Sequence, residues 1–282
     1  MRRGWLLAVP VTLLTLGLAG CSNDDSVLSS EDDLVVVQGY LFAGEPVDDI
    51  RLTQTVPLDA TQTGLPLSGV VVTLMREDVV YALGPIDAEG TYGYPGTDLT
   101  VSAGDIFQLR VIHDRGVVTA ITQVPPAPNQ VLLSTSEVRI DPDPFDGGFG
   151  GGFGRPTESA LTISWISDAG AYHQVIVASE DPEATIIDRG FGDDFELPPL
   201  QQQPTRRMSV DLNALQFGVY GPWSVTVYRL NDEYGQLFEF GTQDPQDLEE
   251  PPSNVEGGLG IFTALHGLRV IFDVLPDTTA SE

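Results

Sequence analysis

Short runs of Val, Ile, Leu and Thr, separated by Gly and Pro, make up the chain from residue 34 onward. Several runs alternate apolar with polar residues, which is typical of strands that bury one face. Residues 34–124 show no helical periodicity over a useful length, and their Gly and Pro residues mark turns between runs. The pattern therefore predicts an all-β fold.

Five of these runs predict the strands of a first β-sandwich domain over residues 34–125. Gly90–Tyr92 and the later Gly104 resemble the turn pattern of carboxypeptidase-regulatory-like, transthyretin-like sandwiches. Asp114–Gly116 lies where a tight turn would join the last two runs. The predicted strands are Leu34–Leu41, Asp49–Thr55, Gly69–Met75, Ile106–His113 and Gly116–Val124.

The proline-rich segment Pro125–Gln130 predicts a stiff linker and a boundary, after which residues 126–282 form a second domain. Trp165 on an early strand and the alternation of Trp223 with Val225 on a late one resemble a fibronectin type III-like sandwich. In that fold a buried Trp packs between the sheets. The predicted strands are Val131–Ile140, Ser159–Ile166, Ala171–Ser179, Arg206–Leu212, Trp223–Asn231, Gln236–Thr242 and Leu268–Val274.

Two insertions interrupt this second domain. Residues 141–156 are rich in Gly and Phe, and residues 180–205 are acidic and rich in Pro. Both segments are too irregular to bury their backbone polar groups. We expect both insertions to lie at the surface.

The first 20 residues have the composition of a cleaved export signal. Arg2 and Arg3 form a positive start, and an apolar stretch too short to span a bilayer comfortably follows. The segment Leu18–Cys21 resembles a lipobox, which predicts that residues 1–20 are removed and that Cys21 carries the lipid anchor. An ordinary signal peptide with a chance cysteine is the alternative. Lipidation is favoured because Cys21 is the only cysteine and cannot form a disulfide within the chain.

Residues 21–33 are polar and acidic, and they predict a flexible tether between the lipid and the folded body. Asp24 and Asp25 resemble the surface-export signal of Bacteroidota lipoproteins, although a generic solvated linker has the same composition. The expected location is the outer membrane, lipid-anchored, at the cell surface.

The charge of the chain is strongly negative, with 41 acidic residues, 13 arginines and no lysine. Removal of Arg2 and Arg3 with the signal leaves 11 arginines and a net charge of −30. This composition resembles proteins of salt-loving organisms, in which dissolved cations screen the self-repulsion. A cation-binding or partner-binding surface is the alternative, but the acids are scattered along the whole chain. Nucleic acid is excluded as a partner because the chain lacks a basic patch.

No catalytic motif is present, so we expect that the protein is not an enzyme and needs no cofactor or metal. The three histidines, His113, His173 and His266, lie apart in or beside predicted strands, which favours structural roles. The segment 141–147 contains three aspartates and has the oxygen density of a calcium loop. It lacks the spacing and the distal Glu of an EF-hand, so calcium binding is left open.

The most specific internal segment is PPSNVEGGLGIF, residues 251–262. Its glycines imply positive φ values or a close approach of backbones. The segment is similar to the N-[IV]-x-G-G-L-G-x-F signature of the Bacteroidota outer-membrane lipoproteins grouped as domain of unknown function 4249. The segments LVVVQGYL, RLTQTVPL, PLSGVVVTL and VSAGDIFQLRV also resemble that family, in the same order. The residues that match the signature, which we interpret as structural, are Asn254, Gly257, Gly258, Gly260 and Phe262.

The resemblance implies a sandwich of the regulatory type followed by a fibronectin-like one, on an outer-membrane lipoprotein. The resemblance also implies a gene beside that of a TonB-dependent receptor, as for many family members, and no activity or catalytic residue is established for the family. The expected function is therefore a non-catalytic binding or accessory component that acts with a TonB-dependent receptor in uptake. An adhesion or envelope-structural β module without a role in uptake is the alternative.

The charge of the chain leads to a testable expectation about salt. Raising NaCl from about 0.1 M to about 1 M shortens the Debye length from roughly 10 Å to 3 Å and screens the repulsion between carboxylates. The melting temperature of the lipid-free chain, followed by circular dichroism, is expected to rise over this interval. A melting temperature that stays flat or falls would contradict the salt-adapted interpretation.

Overall fold

The longest element among the described residues is a strand that extends from Leu259 to Pro276. The computed structural model describes residues 34–56, 64–140, 159–187, 200–240 and 253–277, which belong to one compact unit. The predicted signal peptide, Cys21, the tether and the insertion at 141–156 lie outside these residues. Residues 188–199 of the second insertion lie outside them as well.

Of the described strands, eight belong to the N-terminal half, and most of them bury alternate residues. In the hairpin of β7 and β8, His113 pairs with Gly116, so the predicted tight turn at this position is confirmed. The strands are β1 Val35–Phe42, β2 Asp49–Gln54, β3 Leu65–Pro66, β4 Val71–Arg76, β5 Val79–Pro85, β6 Thr91–Gly93, β7 Ile106–His113 and β8 Gly116–Gln123.

The C-terminal half contributes the remaining described strands and one α-helix. A short 3-10 helix, Ala214–Gln216, is capped by the side chain of Asn213. The elements are β9 Gln130–Leu133, β10 Glu137–Ile140, β11 Leu161–Ile166, β12 Tyr172–Ser179, β13 Leu200–Gln201, β14 Ser209–Leu212, β15 Gly221–Leu230, α1 Asp232–Phe240, β16 Val255–Glu256 and β17 Leu259–Pro276.

The first core lies between two layers of strands and contains buried side chains such as Val37, Leu74 and Phe107. One layer consists of β16, β8, β7, β4 and the start of β5, and the other of the end of β5, β6, β2, β1 and the start of β17. β5 changes layer, because residues 79–83 pair with β4 whereas Gly84 and Pro85 pair with β6. The step from β16 to β17 joins the two layers at the opposite side.

The second core contains buried side chains such as Ile163, Trp165 and Val225. The three-stranded sheet β14-β11-β9 supplies one side of this core. β10, β17, β15, β12 and β13 supply the other side, and they continue the sheet of the first core. The described residues are thus predominantly β, in sandwich-like sheets, as the sequence predicts.

β17 belongs to both cores. Its first residues pair in parallel with β1, up to Leu265 opposite Phe42. From Leu265 onward the strand pairs antiparallel with β15, and its last residues pair in parallel with β10. Phe262 lies in the first core and Phe272 in the second. The ranges predicted for two separate domains therefore share one strand, since residues 255–264 fall in the second range but pack in the first core.

One predicted strand, Gln236–Thr242, is wrong, because residues 232–240 form helix α1. Asp232 and Glu233 in the first turn favour a helix N-terminus, where the helix dipole stabilises negative charge. Tyr234 and Phe238 are one turn apart and stack edge to face, with ring centroids 5.4 Å apart. Tyr234 also contacts Tyr40 of β1. Among the described residues, no helix is long and apolar enough to cross a membrane.

The predicted single strand Val131–Ile140 is also wrong, since it is two strands that belong to different sheets. β9 pairs with β11, whereas β10 pairs with β17. Between them the amide of Ser134 donates to Thr162, and the carbonyl of Ser136 accepts from Asp273. The residues between β9 and β10 therefore carry the chain from one sheet of the second core to the other.

Candidate functional site

The signature residues lie where the chain leaves β16 and enters β17. Asn254 donates from Nδ2 to the carbonyl oxygens of Phe262, at 2.6 Å, and of Ile121, at 3.1 Å. Its Oδ1 accepts from the amide of Phe262 at 2.9 Å. A single side chain thus satisfies both backbone groups of Phe262 and fastens β17 to β8. Asn254 takes the place of a neighbouring strand along a part of β17 that β15 does not reach.

The signature glycines lie where backbones approach too closely for a side chain. A Cβ at Gly257, which has φ +76°, would lie 2.7 Å from the carbonyl oxygen of Val117. A Cβ at Gly258 would lie 2.6 Å from the carbonyl oxygen of Val35. Gly260 has φ +104°, and a Cβ there would overlap the carbonyl of Val37. These contacts join residues 257–260 to β8 on one side and to β1 on the other.

Phe262 is fully buried in the first core and lies against Gly39 of β1. The two residues are paired in the parallel register, and Gly39 leaves the room that the ring occupies. The signature therefore forms a clamp, here called the closing corner (residues 253–262), that holds the two layers of the first core together.

A groove with a volume of about 940 Å³ lies where the two halves of the chain meet. The end of β8 and the linker after it form one wall. The turn between β11 and β12, the end of β15 and the start of α1 form the other. The polar residues of the lining include Asp168, Arg206, Arg229, Asn231, Asp232 and Glu233.

Asn231 fixes the two walls of the groove relative to each other. Its Nδ2 donates to Oγ1 of Thr122 and to the carbonyl oxygen of Gln123, both at 2.9 Å. Close by, Nδ1 of His266 lies 3.0 Å from the carbonyl oxygen of Pro125. These contacts tie β15 and β17 to the end of β8, so the groove has a defined width.

The two arginines of the groove are held by neighbouring side chains. The guanidinium of Arg206 lies 4.0 Å from the ring centroid of Tyr172 and donates to its hydroxyl at 2.5 Å. Arg229 is largely buried and forms a 2.7 Å ion pair with Asp168, whose side chain is exposed. The groove thus presents fixed cationic groups in a chain of strongly negative charge.

Acidic groups lie beside these arginines at the start of α1. Burial raises the pKa of Glu233, and the neighbouring charge of Asp232 raises it further. Asp232 is exposed at the rim. The groove therefore offers both signs of charge together with backbone polar groups, which suits recognition of a polar partner.

The described histidines lie in different surroundings. His173 is fully buried beside Trp165, with ring centroids 5.4 Å apart, and burial lowers its pKa to about 4, with a further contribution from Arg229. His113 lies next to Asp114 in the β7–β8 hairpin and does not line the groove. Within the described ranges, no group of three or more His, Cys, Asp or Glu side chains could hold a metal ion.

The groove could not be identified from the sequence. Its residues come from distant segments, and the pattern that placed them in strands gave no sign that the ends of β8 and β15 would meet. Of the residues that the sequence singled out, those of the signature come together at the closing corner. Cys21 and the three aspartates of 141–147 lie outside the described residues.

Comparison with known proteins gives a family and a distant structural likeness. The model of the family named domain of unknown function 4249 matches residues 24–267. The crystal structure of the FN1–FN3 domains of chicken CNTN1 is similar at 11% identity, with a TM-score of 0.26. That comparison covers 85% of this chain and 66% of that one. No curated protein matches the chain.

Replacement of Asn254 tests the closing corner. Asn254→Ala leaves both backbone groups of Phe262 and the carbonyl of Ile121 without their partner. The expected loss of stability is about 2–6 kcal/mol, because the two backbone groups of the buried Phe262 cost about 1–3 kcal/mol each when they are left unpaired. Urea unfolding measures the change.

The matched control for this substitution is Asn129→Ala, an exposed position, for which a change within about 0.5 kcal/mol is expected. Equal effects of the two substitutions would show that the Asn254 side chain does not hold the corner.

Proposed function

The chain belongs to the family of domain of unknown function 4249, and from this premise we propose that it is a lipid-anchored outer-membrane protein of a Bacteroidota bacterium. In this proposal Cys21 carries the anchor at the cell surface. The protein acts as a non-catalytic accessory component and binds a TonB-dependent receptor in uptake. The acid excess adapts the exposed body to a salt-rich medium.

The finer fold assignment is part of the same proposal. The first core is a sandwich of the carboxypeptidase-regulatory, transthyretin-like type, and the second is fibronectin type III-like. The burial of Trp165 between the two sheets of the second core supports the latter assignment. The pairing of β10 with the last residues of β17, opposite β15, agrees with it.

The observation that carries the binding role is the groove. Its walls are fixed by Asn231 and by the continuous β17, so a partner meets a preformed surface rather than loops that must first be ordered. Its arginines are engaged with Tyr172 and Asp168, and the buried His173 stays neutral at pH 7. These groups favour recognition over acid–base or nucleophilic chemistry.

The adhesion or envelope-structural alternative rests on one observation. β17 runs through both cores, so the sheet is continuous from β13 to β16. A continuous sheet is as suitable for a spacer that transmits force as it is for a protein that binds a receptor. The experiment below separates these two functions.

The test is an affinity purification from detergent-solubilised native membranes, at the salt concentration of the organism. We expect a TonB-dependent receptor to be recovered in near-stoichiometric amount with the lipidated chain. Asp232→Arg at the rim of the groove is expected to lower that recovery at least fivefold, since it reverses a charge that faces the partner. Glu183→Arg, an equally exposed acid outside the groove lining, is the control and should leave recovery unchanged.

Reproducible recovery of a different envelope protein or a surface polymer, with no receptor, would overturn the uptake role and support the adhesion alternative. Cys21→Ser tests the anchor separately. The substituted chain is expected in the soluble exported fraction, and its retention in membranes after a high-salt wash would contradict lipidation.

A further inference from the structure

The layer of the first core formed by β5, β4, β7 and β8 exposes an apolar surface. Alternate residues of these strands point away from the core, and the aliphatic ones among them are between 36% and 60% exposed. We call this surface the outer face. Its large aliphatic residues are Val71, Val80, Ile106, Ile112, Val117 and Ile121.

The register of the strands joins these residues into rows. Val71 lies opposite Ile112, which lies opposite Val117, and together they form a row near the β7–β8 hairpin. A second row leads from Val80 over Met75 and Gln108 to Ile121. Neighbouring positions across a sheet form one surface, so these side chains are a contiguous patch rather than scattered exposed residues.

The charge of the outer face differs from that of the chain as a whole. Its middle row contains Thr73, Arg110 and Thr119, and Arg110 is exposed. The chain has 41 acidic residues, but none of them occupies an outward position on these four strands. Glu256 of the neighbouring strand β16 borders the middle row beside Thr119. The outer face therefore brings no outward carboxylate of these four strands against a negative or apolar surface that it contacts.

We propose that the outer face rests on the lipid bilayer that holds the anchor, which extends the proposed function because it presupposes lipidated Cys21. Exposed aliphatic side chains around a central arginine suit the boundary of headgroups and acyl chains. Arg110 is the group that meets lipid phosphate.

The connection to the anchor supports this occupant. The chain enters the fold at Leu34, and the corner residue Gly258 lies between Val35 and Val118. The start of β1 is thus next to the start of β8, at the end of the sandwich that carries the row with Val117. Thirteen peptide steps separate Cys21 from Leu34, and an extended chain covers at most about 45 Å over that distance. The lipid is therefore held within reach of the outer face.

A second copy of the chain fits the outer face less well. Two such faces stacked on each other would bring Arg110 of each copy into an apolar interface with no acid on these strands to pair with it. A buried cation without a partner is strongly unfavourable. A bilayer instead supplies phosphate to the arginine and an apolar interior to the aliphatic side chains.

The test uses the exported chain with Cys21→Ser, so that no acyl chain contributes. Co-sedimentation is measured with vesicles of phosphatidylethanolamine and phosphatidylglycerol at about 0.5 M NaCl, where long-range repulsion is screened. We expect this chain to bind, and the added pair Ile112→Thr and Val117→Thr to lower the partition coefficient about tenfold, since it removes apolar surface while keeping strand-forming residues.

The matched control is the pair Leu132→Thr and Ile166→Thr, two similarly exposed aliphatic residues of β9 and β11. We expect less than a twofold change for this pair, and unchanged melting temperatures show that both variants are folded. Absence of vesicle binding, or an equal loss in both variants, would overturn the proposal. A second result would also overturn it: the chain forms a dimer in solution, the substitutions Ile112→Thr and Val117→Thr dissociate that dimer, and the chain does not bind vesicles. The assay contains neither receptor nor acyl chain, so its failure is separable from failure of the receptor purification or of lipidation.

Discussion

The backbone pairing of β17 is the constraint on which the rest of the structure depends. Its first residues pair with β1, its later residues pair with β15, and Leu265 takes part in both pairings. Because hydrogen bonds in a sheet fix strands relative to each other, two cores that share a strand cannot rotate independently. The groove between the halves and the contacts of Asn231 that set its width follow from that shared strand.

The first residues of β17 pair with β1 along one edge only, and the closing corner satisfies backbone groups along the other edge. Where β15 does not reach, Asn254 supplies the donor and the acceptor that Phe262 needs. Gly257 and Gly260 allow the corner to lie against β8 and β1. The residues of the signature thus lie where the first core is closed, which gives each of them a structural role.

Much of the fold could be predicted from the sequence, because the alternation of apolar and polar residues indicates which side chains face a core. β7 and β8 have the predicted bounds to within one residue, and the all-β class follows from the same pattern. Helix α1 was not predicted, because aromatic residues such as Tyr234 and Phe238 fit the apolar pattern of a strand as well as that of a helix. The extent of β17 was missed because its glycines suggest a turn, whereas they permit close pairing with β1. The groove depends on contacts between distant segments, which periodicity does not report.

Native-state hydrogen exchange of the β17 amides tests the shared strand most directly. If β17 holds the two cores together, its amides from Ile261 to Val274 open only when the whole protein unfolds. They should then exchange with one common free energy, equal to that from urea unfolding. Two separate values, one for amides before Leu265 and another for those after it, would show that the cores unfold independently and would contradict the account.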